Sequence, residues 1–140
     1  EGIVLGNLAD LHRRLERFED ARQGLEDARV IAEHLEDQRW LAYWEFQIGE
    51  VLICQERYED AVAILDGAIA RFVDVQERER IARARCARGR ALVHWGALGS
   101  ARAERAAAKE IAEALQVEPE SEMAQAIEEL DRVIADVVPS

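Results

Sequence analysis

Few side chains in this 140-residue chain could carry chemistry, and their spacing limits what they can do. The histidines His12, His34 and His94 stand far apart, and no HExxH or other metal-ligand spacing links them to each other or to a cysteine. Cys54 and Cys86 form no CxxC. Ser100, Ser121 and Ser140, with Tyr43 and Tyr58, are the hydroxyl candidates; none has a nucleophile-elbow context, and no P-loop is present. These patterns predict a non-enzyme with no catalytic residue, no metal site and no cofactor. Two other groupings suit binding. Tyr43 and Phe46, one helical turn apart, would anchor a ligand if exposed, or would pack against Trp40 or Trp44. Arg83, Arg85, Arg88 and Arg90 could meet an acidic or phosphorylated segment, or be balanced by the chain's own carboxylates on the preceding helix pair and the closing helix.

Charge is unevenly placed. Residues 1–80 carry a net charge of -9, residues 81–110 carry +5 and residues 111–140 carry -7, for a total of -11. So acidic a surface repels a phosphate backbone, so direct nucleic-acid binding is not expected. No run approaches the roughly 20 apolar residues of a membrane span, and no charged-then-apolar leader opens the chain. The first residue is Glu1, which predicts a fragment of a larger protein. Cys54 falls near the end of one predicted helix and Cys86 near the start of the next parallel one. An offset of about 12 Å at 1.5 Å per residue is too long for a disulfide, so free thiols in a reducing cytoplasm are predicted.

The elements that must position these residues follow a repeat. The stretch LGNLADLHRRLERFEDA, Leu5 to Ala21, returns as QIGEVLICQERYEDA, ending at Ala61, and as RGRALVHWGALGSA, ending at Ala101. Phe18, Tyr58 and Leu98 are 40 residues apart, as are Ala21, Ala61 and Ala101. A fixed period of this size marks a helical array whose units bury their apolar faces against neighbours. In the first unit, Ile3, Leu5, Leu8, Leu11 and Leu15 predict one helix. Glu16 and Arg17 predict a break, and Ala21, Leu25, Ala28, Ile31, Ala32 and Leu35 predict a second helix opened by Glu19 and Asp20. Gly49 stands where Ala9 stood, which predicts that a neighbouring helix crosses there. Pro119 is predicted to stop the third pair, and the apolar stripe Met123, Ile127, Leu130 and Ile134 predicts one closing helix. The units fall at about 2–37, 38–77 and 78–117, with a cap at about 121–137, in a single domain spanning 1–140.

Through Leu8, Ala9, Phe18, Ala21, Leu25 and Ala28, then Ile48, Gly49, Leu52, Tyr58, Ala61, Leu65 and Ala68, then Gly89, Leu92, Gly96, Leu98, Ala101 and Ala108, the chain resembles the tetratricopeptide repeat family. GNLADLH, LERFEDA and QERYEDA are closer to its long-helix branch, typified by kinesin light chains and by bacterial regulators. The resemblance implies an all-α, right-handed superhelical solenoid of three helix pairs plus the capping helix. It further implies a groove lined by the outward residues of each first helix. Aligning the chain's own repeats places Asn7, Asp10 and Arg14, then Tyr43, Phe46, Gln47 and Glu50, then Arg83, Arg90 and His94 in that groove. Asn7 matches the branch's groove Asn, whose amide can hold a peptide backbone through donor and acceptor. The implied function is a protein-interaction scaffold or sensor module that binds a peptide, within a bacterial multidomain regulator. Two alternatives are a homo-oligomerisation module, with a homodimer formed through the exposed first repeat, and a small-molecule inducer sensor of a transcriptional regulator.

Overall fold

A computed structural model describes the backbone of residues 2–138 and the side chains of residues 17–138. Six helices and no strand occur among the described residues: α1 (Gly2–His34), α2 (Gln38–Cys54), α3 (Tyr58–Asp74), α4 (Arg78–His94), α5 (Leu98–Leu115) and α6 (Glu122–Val137). None is long and apolar enough to cross a membrane.

From α1 to α5, each connection is a turn of three residues closed in the same way. Glu36, Glu56, Gln76 and Gly96 take left-handed conformations, with φ of 56°, 60°, 59° and 89°. The next residue then sends its N–H back to a carbonyl of the finished helix: Asp37 to Ala32 (2.9 Å), Arg57 to Leu52 (2.9 Å), Glu77 to Phe72 (3.0 Å) and Ala97 to Leu92 (2.8 Å). This satisfies carbonyls that a helix end would otherwise orphan. It outweighs the roughly 1–2 kcal/mol that a non-Gly residue costs in that conformation. Asp37 also accepts the Trp40 N–H at 3.1 Å, capping α2. Helices therefore start at 38, 58, 78 and 98, and the 40-residue sequence period is two helices long.

Short turns make consecutive helices antiparallel neighbours. α2 packs on α3, α3 on α4 and α4 on α5, while α6 lies across both α4 and α5 and α4 also touches α2. One buried cluster joins Ala42 and Phe46 of α2, Leu65, Ala68, Ile69 and Phe72 of α3, and Ile81, Ala84 and Ala87 of α4. Another runs through Ile48, Leu52 and Leu92 to Met123, Ile127, Leu130 and Ile134 of α6. Close approach is paid for in side-chain bulk: a Cβ on Gly49 would lie 2.6 Å from Leu65, and one on Gly89 would lie 2.9 Å from Leu130. Helices do cross where the sequence offers no bulk.

Three expectations are corrected. No turn occurs at Glu16 and Arg17, because α1 runs unbroken from Gly2 to His34. Leu15, Glu16 and Arg17 are all good helix formers and stay helical, although the same Glu-Arg pair turns at Glu56 and Arg57, so local residue types alone do not set the turn. Glu19 and Asp20 consequently lie inside α1 and open no helix, whereas Glu59 and Asp60 do stand in the first turn of α3. Finally, α5 stops before Pro119: its last helical residue is Leu115, and Gln116 turns left-handed at φ 52°. The cap α6 then opens at Ser121, whose hydroxyl accepts the Ala124 N–H at 3.1 Å.

Candidate functional site

α4 touches both α2 and α6, and a cleft of about 430 Å³ opens between the three. Its lining comes from Phe46, Glu50 and Cys54 of α2, Arg83 and Arg90 of α4, and Glu122, Gln125, Ala126 and Glu129 of α6. On α2 and α4 the contributing positions are spaced one or two helical turns apart, so a single face of each helix is presented.

Every cleft arginine is already held. The Arg83 guanidinium lies 3.0 Å from Glu122 and 5.5 Å above the Phe46 ring. Arg90 donates to Glu50 at 2.7 Å and lies 3.6 Å from Glu129, so it ties α2 to α6 through α4. Burial would lower the Arg90 guanidinium, but Glu50 and Glu129 hold it above its ordinary value. The side chains of Arg83 and Arg90 are 27% and 15% exposed, against 34%, 72% and 52% for Glu50, Glu122 and Glu129. The cleft therefore shows an incoming ligand more carboxylate than guanidinium. The arginine run balances against the chain's own acids, as the alternation of net charge along the sequence allowed.

The other sequence candidates separate. Phe46 is buried at 3% exposure and packs edge-on to Phe72 with ring centroids 6.5 Å apart, so it forms the floor of the cleft and is no exposed anchor. Its place in the α2–α3 core follows from the α2 stripe that also holds Ala42 and Gly49. Tyr43 is half-buried against Trp40 (5.6 Å) and Trp44 (5.0 Å), beneath the Arg80 guanidinium at 4.9 Å. Gln47 is half-buried outside the cleft lining. His94 is exposed at the end of α4, stacked on Tyr58 at 4.9 Å and likewise outside the lining. The side chains of Asn7, Asp10 and Arg14 lie outside the described residues.

Carboxylates of the capping helix α6 do meet the α4 arginines, Glu122 with Arg83 and Glu129 with Arg90, but which α6 residues would line a cleft was not foreseen. Glu122, Gln125 and Glu129 belong to the face that looks like a solvated acidic surface, and the signal for them was the net positive α4 segment needing partners. Buried Glu45 and Glu104 were also missed. Glu45 of α2 receives Arg71 of α3 at 2.6 Å and lies 4.0 Å from Arg29 of α1. Forty residues on from Glu45, Arg85 of α4, joined by Arg88, meets Glu104 of α5 at 3.2 Å, although the equivalent of Arg71 is Ile111; Arg88 also meets Asp66 of α3 at 2.7 Å. These networks tie α1 to α2 and α3, and α4 to α3 and α5.

Cys54 is exposed and Cys86 is buried. Both are free. Burial pushes the Cys86 thiol up to about 12, and burial followed by the Glu50 charge raises Cys54 above its ordinary value. Among the described residues, no three His, Cys, Asp or Glu side chains gather as metal ligands would.

Residues 1–65, just under half of the chain, match the family model described as tetratricopeptide repeat, which agrees with the six helices and absence of strands among the described residues. No curated protein and no solved structure matches it. Repeats of that family generally mediate protein–protein interaction, and such helical folds typically serve as scaffolds without catalysis.

Proposed function

We propose that the chain is a protein-interaction module whose α2–α4–α6 cleft receives a peptide segment bearing Lys or Arg. The observation that carries this reading is the cleft's charge. Glu50, Glu122 and Glu129 are more exposed than the two arginines they neutralise, and they surround an apolar floor made by Phe46 and Ala126. A basic side chain could take a carboxylate without breaking α4 away from its neighbours. An acidic one would first have to displace Glu50 from the mostly buried Arg90, which leaves a carboxylate unpaired and exacts a desolvation cost.

The test is an array of end-blocked peptides that differ only in basic or acidic content, probed with the wild-type chain and with Glu122→Gln/Glu129→Gln. Basic peptides should be retained. The double variant should bind them more weakly by roughly twofold per carboxylate, from about 0.5 kcal/mol for each exposed pair. Preferential retention of acidic peptides, or equal retention by both proteins, would overturn the assignment. Phe46→Ala is a poor probe, because that ring is also core.

A further inference from the structure

A second surface, sharing no residue with the peptide cleft, is left open by the fold itself. Ala28, Ile31, Ala32 and Leu35 of α1, with Trp40 and Trp44 of α2, line an apolar cleft of about 210 Å³. Ile31, Leu35 and Trp40 are 61%, 69% and 50% exposed. The internal repeat says what such a surface is for. On α3, Ala61, Leu65 and Ala68 are fully buried; their counterparts 40 residues earlier on α1, Ala21, Leu25 and Ala28, are exposed or half-buried. The buried set lies beneath α2, with Gly49 against Leu65, Phe46 against Phe72 and Glu45 against Arg71. Shifted back by one 40-residue period, those contacts call for Ala9 on Leu25, Gly6 on Ala32 and Leu5 on Ile31. The last is informative: an acid–base pair in the second unit becomes an apolar pair in the first, at the position where Ile31 is bare. Likewise Ala84, fully buried against α2 and α3, corresponds to Trp44, which faces the open cleft.

The missing cover is therefore a helix of the chain's own first-helix type, and residues 3–15 are that helix. They do not fold back, because α1 is unbroken at Glu16 and Arg17. α1 has 33 residues and α2 only 17; the end of α2 is level with Glu19, where Gln55 donates to Glu19 at 2.9 Å. The amino-terminal half of α1 thus extends beyond its own α2. We infer that two copies exchange these halves about a two-fold axis near Arg17, so that residues 3–15 of each cover the Ile31–Trp44 cleft of the other. Two antiparallel α1 helices reproduce the α2–α3 pairing in trans, and an isologous contact of this kind closes at two chains.

Light scattering on the full chain across a concentration series should give a dimer, and a monomer at every concentration overturns the inference. Glu16→Gly supplies the residue best suited to the left-handed turn that Glu36, Glu56 and Gln76 make. It should close the hairpin in cis and shift the mass to that of a monomer with helicity retained; a variant that remains dimeric overturns the exchange. In a Cys54→Ser background, Leu5→Cys with Ile31→Cys should oxidise to a dimer-sized band without reductant. A cross-link within one chain, or none, overturns the assignment of the occupant.

Discussion

At the scale of single residues, the informative positions are the buried acids that no apolar pattern marks. Glu104 sits at 7% exposure on an otherwise Ala-rich helix. Burial raises its carboxyl above the ordinary 4.5, and Arg85 and Arg88 only partly offset this. A carboxyl whose folded value exceeds its unfolded one holds its proton more tightly in the folded state. Its stabilising contribution is full below the unfolded value and is lost as pH rises through the folded one. Glu104→Gln removes that dependence. Urea denaturation at acidic and neutral pH should show the variant gaining stability relative to wild type as pH rises from about 4.5. A gap that moves the other way would mean that the guanidinium pairing outweighs burial at this site. Glu45 and Glu104 were illegible in the sequence for a physical reason. A periodic reading sorts residues by hydropathy, and a buried ion pair breaks that sorting while satisfying it energetically.

The helices themselves were largely legible, because their ends rest on local chemistry. The cap α6 lies within a residue of its expected start, since Ser121 marks it by an N-cap hydrogen bond. The unbroken α1 was not, because a turn made of Glu and Arg depends on the packing that rewards it. Leu-Glu-Arg and Gln-Glu-Arg have the same local preferences, and the second joins two helices that share one buried cluster. Two glycines separate propensity from packing at this scale. A Cβ on Gly24, within α1, would meet nothing within 4 Å, so Gly24→Ala should stabilise the chain by roughly 0.5–1 kcal/mol through helix propensity alone. Gly49→Ala gains the same propensity but drives its methyl to 2.6 Å from Leu65, which is fully buried and has no room to yield. Overpacking should cost about 1–3 kcal/mol and win. Thermal melts of the two variants should therefore shift in opposite directions, by a few degrees each. A shared direction would show that helix α2 can slide on α3.

Over the whole molecule, the candidate cleft was only half legible. The run of α4 arginines and the acidic carboxyl-terminal segment were visible as charge, but their meeting depends on α6 lying across α4, which no spacing encodes. Assembled, the charges play two opposed roles. Attraction is concentrated at short range, in Arg90 with Glu50 at 2.7 Å and in Arg85 and Arg88 with Glu104 at 3.2 Å, where the groups are partly buried. Repulsion comes from the net charge of -11 and is spread over the exposed surface. Salt reaches these unequally. A Debye length of about 10 Å at 0.1 M screens exposed charges that are well separated, while partly buried pairs in contact are screened much less. Relief of repulsion should therefore dominate. At one protein concentration throughout, the melting temperature should rise between roughly 10 and 150 mM NaCl. A melting temperature that falls over that range would show that the ion pairs spanning α2, α4 and α6 contribute more than the global charge takes away. The cleft would then be held open by electrostatics, with the buried stripe of α6 secondary to it.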